Sequence, residues 1–140
     1  RMSHKCSSLI FHCIDFRFGI DIKQFLQREN MLGDIDVVSI AGAVKNLVNP
    51  QVPSDAEFVM RQLEISKHLH GVCDVILMNH TDCGAYGGAK AFASPAEEHE
   101  RHAEDLHKAS AMILEKFPDL NVRLFLAHWG EPIRFEEITA

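Results

Sequence analysis

Three groups with metal-binding or proton-handling chemistry alternate in the stretch Phe11-His12-Cys13-Ile14-Asp15-Phe16-Arg17: a thiol, a carboxylate and a guanidinium, directly after an apolar run. A second stretch, Asn79-His80-Thr81-Asp82-Cys83-Gly84, follows another apolar run. Two thiolates and an imidazole form a soft-to-borderline donor set that suits Zn²⁺, and three protein ligands leave a fourth position open to water. A structural zinc usually takes four ligands, often in paired Cys-x-x-Cys knuckles, and no such pair occurs in this chain. His80-x-x-Cys83 fits one turn leaving a strand end, so both side chains can face a single ion. That spacing is a weak signal alone and a strong one beside Cys13-x-Asp15-x-Arg17. The plain alternative is two buried thiols and a hydrogen-bonded histidine, with Asp15–Arg17 as an ordinary surface ion pair.

Both stretches need strands to deliver them. Residues 8–13 are apolar and end at the first motif, and residues 74–79 deliver His80. Residues 36–40 and 122–127 read as two further strands. Between them, residues 18–31 place Ile22, Phe25 and Leu26 on one helical face, with Gly33 and Asp34 breaking the pattern. Ser54 with Glu57 reads as a capping box for a helix that Gly71 ends. Pro95 opens a long polar helix to about Phe117, and Pro118 stops it. Strands alternating with helices, and almost wholly apolar, predict an α/β domain spanning 1–140 with a parallel four-stranded sheet covered on both faces. In the doubly wound order 2-1-3-4, strands one and three flank the switch point, where open α/β sheets place ligands. Residues 133–138 are expected to add a short edge strand.

The net charge of −6 and pI near 5.8 leave no basic footprint, so nucleic acid is not an expected partner. No apolar run reaches the roughly 18 residues of a membrane span, and no signal-peptide pattern opens the chain. Arg1 ahead of Met2 reads as an added residue. Four cysteines, two of them in ligand motifs, fit a reducing cytoplasm better than a disulfide framework. Cys6 and Cys73 are expected as free thiols, Cys73 near a buried strand start. The histidine-rich run over 97–107 reads as a solvated helix face rather than a second metal site. Tyr86 reads as packing, and Phe16 and Phe18 as either an apolar wall beside the dyad or core.

Cys13-x-Asp15-x-Arg17 followed by His80-x-x-Cys83-Gly84 resembles the β-class carbonic anhydrases, and the likeness runs from about Leu9 to Trp129. The resemblance implies one zinc per chain held by Cys13, His80 and Cys83, with Asp15 and Arg17 as the catalytic dyad. Asp15 would become a fourth ligand only in a closed form of the site. It implies reversible hydration of CO₂ to bicarbonate and a proton by metal-bound hydroxide, in a homodimer or higher even oligomer with the cleft near the subunit boundary. Gly42 and Gly84 are assigned as substrate-binding positions. Where many members read Arg-Asn-Ala-Gly, this chain has Ser39-Ile40-Ala41-Gly42, which removes a cationic and an amide group from that loop. Two rival readings use the same fold: a hydrolase of carbonyl sulfide or carbon disulfide, and an inactive zinc-binding or regulatory module.

Overall fold

In the computed structural model, which describes residues 4–140, alternate residues of each central strand point to opposite faces and bury against different helices. Arg1 and Met2, read above as an added residue before a start, lie outside the described residues. Strand β1 (Ser8–His12) lies between β2 (Ile35–Ser39) and β3 (Asp74–His80), all parallel, and β4 (Asn121–His128) continues the sheet beyond β3. A fifth strand, β5 (Arg134–Ile138), pairs antiparallel with β4, giving the order β2-β1-β3-β4-β5. The expected parallel order 2-1-3-4 is present, and the C-terminal segment supplies the edge strand.

Period-two alternation gives two apolar layers. Leu9, Phe11, Val75, Leu77, Leu124 and Leu126 face α3 (Pro53–His70) and α4 (Pro95–Lys116), where Leu63, Leu106 and Ile113 complete the layer. Ile10, Ile76, Met78 and Phe125 face α1 (Gly19–Arg28), through its Ile22, Phe25 and Leu26. Each fully buried residue of this size contributes about 1.5–3 kcal/mol relative to exposure. Both faces of the sheet are thus covered, and its carboxyl end is left for the loops.

The helix boundaries differ from the sequence reading in instructive ways. Helix α1 stops at Arg28 rather than near Met31, because Asn30 turns to a left-handed φ of 58° and leaves the helical path. Helix α3 begins at Pro53 with Val52 as its N-cap and no side-chain cap, so Ser54 does not form the expected capping box. Proline fixes the first-turn φ and needs no N–H partner there, which makes the serine cap dispensable. The capping interaction occurs instead at α4, where Ser94 accepts from the Glu97 N–H. Gly71 ends α3 in the left-handed conformation, as expected. A short helix, α2 (Lys45–Val48), was not legible as such. All four cysteines are free thiols, and Cys73, itself exposed, directly precedes the buried strand β3 as expected. No described helix is long and apolar enough to cross a membrane.

Candidate metal centre

The register of the sheet brings the two motifs together. β1 pairs with β3 through Phe11↔Leu77, so the residues just past both carboxyl ends lie side by side. Cys13 leaves β1, His80 is the last residue of β3, and Cys83 follows a tight turn after it. Donor atoms of Cys13, His80 and Cys83 all lie within 4.8 Å of one another, at exposures of 8%, 3% and 2%.

The histidine is oriented as a ligand would be. Its Nδ1–H donates to the Thr81 carbonyl at 2.7 Å, which leaves the lone pair on Nε2. That Nε2 is buried without a hydrogen-bond partner. A buried polar atom without a partner is costly, so one aimed at two thiols marks a place for a cation. Phe18 packs against the imidazole, ring centroids 4.4 Å apart, and holds it in this rotamer. Of the two aromatics flanking the dyad, Phe18 is therefore core, while Phe16 is 90% exposed.

The two thiols are electrostatically unequal. Cys13 accepts from the Cys83 thiol and from the Gly42 N–H at 3.4 Å, and these hold its pKa well below the ordinary thiol value. The Cys13 thiolate and burial together push Cys83 up. A divalent cation would relieve the conflict, because it stabilises both as thiolates. Burial disfavours the His80 imidazolium, but the neighbouring Cys13 thiolate and the Thr81 carbonyl outweigh it and raise the pKa.

Arg17 organises the mouth of the site. Its Nε and Nη2 clamp the Asp15 carboxylate, Nη2 to Oδ2 at 2.7 Å, while its Nη1 reaches Asp82 Oδ2 at 3.0 Å. The Arg17 backbone N–H also donates to Asp15 Oδ1 at 2.9 Å. The guanidinium lies 4.5 Å over the Trp129 ring, a cation–π contact that fixes its plane. Arg17 holds the Asp15 carboxyl below its usual range. Asp15 Oδ2 stands 3.7 Å from His80 Nε2, beside the donor set yet outside the group of three. Asp15–Arg17 is accordingly part of a cleft, not an isolated surface pair. That cleft, about 880 Å³, is lined by Cys13, Ile14, Asp15, Phe16, Arg17 and Gly84 among others.

The two glycines assigned to substrate differ in placement. Gly84 lines the cleft and opens the short turn Gly84–Tyr86. Gly42, at φ 82°, brings its N–H to the Cys13 sulfur; a Cβ there would sit 2.9 Å from Ala85 Cβ. In the altered loop before it, Ser39 Oγ donates to the Cys13 carbonyl at 3.4 Å.

Several contributors were invisible to motif reading. Asp82 caps the Ala89 N–H through Oδ1 at 2.8 Å, and its own N–H donates to Glu98 Oε2 at 2.8 Å. Trp129 reaches Arg17 because its N–H donates to Thr81 Oγ1 at 2.8 Å. The polar face of α4 is not solvated as expected: Glu98, His102 and Asp105 are buried and point at the ligand turn. There Asn79 Nδ2 donates to Tyr86 OH at 3.0 Å and to His102 Nδ1 at 2.9 Å, and Tyr86 OH donates to Asp105 Oδ2 at 2.8 Å. Tyr86, expected only to pack, is a hydrogen-bonding link between β3 and α4. The i, i+4, i+7 spacing of residues 98, 102 and 105 was the available signal.

Residues 3–135 match the family model described as "Putative carbonic anhydrase". An uncharacterized protein from Rickettsia bellii is 32% identical over 126 residues, covering 88% of this chain and 77% of its own length. Another from Rickettsia conorii is 30% identical over 126 residues, covering 88% and 68%. Among solved structures, the carbonic anhydrase from Streptococcus mutans superposes with a TM-score of 0.63 at 22% identity, covering 99% of this chain and 86% of that one. The β-carbonic anhydrase isoform I of Trichomonas vaginalis gives 0.67 at 13% identity, with the same coverage of 99% and 86%. At those identities the superpositions speak for the fold, a β-carbonic-anhydrase fold. The family follows from the match over nearly the whole length: this chain belongs to the carbonic anhydrase family that the model describes.

Proposed function

We propose that the chain is a zinc enzyme that reversibly hydrates CO₂ to bicarbonate, with Cys13, His80 and Cys83 as metal ligands and Asp15 and Arg17 as the catalytic pair. The observation that carries this reading is the buried, unpartnered His80 Nε2 converging with two thiols, one of which, Cys13, lines a cleft. Zinc held by two thiolates is formally neutral, and its Lewis acidity would lower the pKa of a water less than a three-histidine site does.

The chain's own groups do the rest. Asp15 Oδ2, kept ionised by Arg17, is placed to accept the hydrogen of the attacking oxygen and aim its lone pair into the cleft. Arg17 also restrains Asp15 from turning inward to become a ligand, because Asp82 and Trp129 anchor the guanidinium from the other side. The cleft wall formed by Ile14, Phe16, Ala41 and Ala85 offers apolar contact to a small nonpolar substrate. Gly84 belongs to that wall, and Gly42 acts one step back, through the Cys13 sulfur. In this reading the assembly is a homodimer or a higher even oligomer in the cytoplasm, and the four free thiols are in keeping with a reducing compartment.

Stopped-flow CO₂ hydration on zinc-loaded protein tests the reaction. Activity should rise with pH through an apparent pKa above neutrality. Absence of CO₂ hydration in protein carrying one zinc per chain would refute it.

A further inference from the structure

Three segments far apart in sequence meet at the opposite end of the sheet from the cleft. Cys6 precedes β1, Asp36 lies in β2 and His70 closes α3, and a donor atom of each lies within 4.8 Å of the others. Asp36 Oδ2 accepts from Ser66 Oγ at 2.6 Å and is bonded to His70 Nδ1 at 2.6 Å. The His4 ring packs edge-on against His70 at 4.8 Å and lines the same small cavity, about 170 Å³, as Cys6, Asp36 and His70. The Cys6 N–H donates to the His70 carbonyl at 3.0 Å, so the backbone already holds these segments together.

We propose that Cys6, Asp36 and His70 form a second divalent-cation site, with zinc as the preferred ion. Hydrogen bonding alone accounts for Asp36 with Ser66 and His70. The Cys6 thiol has a long contact, 3.7 Å, to the Ser8 carbonyl, and sulfur is a weak donor and acceptor. A thiolate beside an imidazole and a carboxylate does raise affinity for a borderline cation. The ion takes the place of the proton shared by His70 and Asp36. Tetrahedral bonds of about 2.0 Å separate two N/O ligands by about 3.3 Å, so the pair need open by less than about 1 Å. Ser66, buried behind the carboxylate, is placed to orient it as outer-shell partners of metal ligands do. Ligands from three segments make this ion a tie between the amino-terminal segment, β2 and α3, at the opposite end of the sheet from the cleft.

Co²⁺ titration of the full, reduced chain, followed by thiolate-to-cobalt charge-transfer absorption and by metal per chain, tests the site. Cys6→Ser should bind one equivalent fewer than the unaltered chain, and His70→Gln should read the same if the serine variant fails to fold. Ser66→Ala should weaken that equivalent about 10-fold. The exposed Cys73, as Cys73→Ser, should leave it intact. Because the readout is the difference at Cys6, it is separate from occupancy at Cys13, His80 and Cys83, and Cys83→Ser should keep the second equivalent. Equal binding by the unaltered chain and both ligand variants, or loss of the equivalent in Cys73→Ser, would overturn the proposal.

Discussion

Arg17 divides its guanidinium between two carboxylates, and the division makes the residues around it unequal in consequence. Arg17→Ala removes every side-chain contact that holds Asp15 away from the donor set. Zinc content should stay the same while hydration falls by about 10²-fold or more, the range expected when a positioned proton acceptor is lost. Asp82→Asn leaves the bond from Arg17 Nη2 to the Asp82 carbonyl, 3.0 Å, and the whole Asp15 clamp in place. Its loss should be less than tenfold. Metal analysis alongside stopped-flow rates separates the two; equal losses would mean that Asp82, not Asp15, carries the role given to the pair. Gly42 is sensitive for a steric reason. Gly42→Ala would strain a left-handed φ and press on Ala85, at a cost of about 1–3 kcal/mol measurable by urea unfolding. Gly84→Ala, with open space around the added Cβ, should be close to neutral for stability.

At the scale of elements, α4 is the part that sequence pattern described least well. Its charged and histidine-rich composition matches a solvated helix, and most of its length is one. Yet His102 is fully buried, and burial followed by nearby positive groups lowers its pKa from 6.5 to about 4. The strands were legible because apolar runs, unlike helix faces, report burial directly: β1, β3 and β4 lie within a residue or two of their expected bounds. So was the meeting of Cys13, His80 and Cys83 as a group that could hold a metal, since its residue types and spacing survive without knowledge of packing. Asp82, Trp129 and the Asn79–His102–Tyr86–Asp105 network were not, because each depends on a tertiary neighbour from another element.

The His102 shift has a definite sign. A histidine whose folded pKa lies below its unfolded value binds fewer protons in the native state, so stability is full above pH 6.5 and falls as pH drops toward 4. The loss is at most about 3 kcal/mol from this group. Urea unfolding between pH 7 and 4.5 should therefore show a shallower decline in His102→Asn than in the unaltered chain. Parallel declines would assign acid sensitivity to other groups.

For the whole molecule, one face near the cleft mouth is unfinished. Ile14, Phe16 and Ile20 are exposed at 61%, 90% and 73%, beside a site that opens between them and the ligand turn. A domain of 140 residues leaves a sizeable share of its apolar surface uncovered, and a second subunit is the economical way to bury it. Light scattering at micromolar concentration should return an even multiple of 15.8 kDa. Phe16→Asp places a charge where the apolar contact is expected and should shift the distribution toward 15.8 kDa. Because the cleft opens beside the expected subunit contact, hydration should fall as dimer content falls. Raising the protein concentration of the variant should then restore both together. A fully active monomer of the unaltered chain, or a Phe16→Asp variant that stays assembled, would place the subunit contact elsewhere.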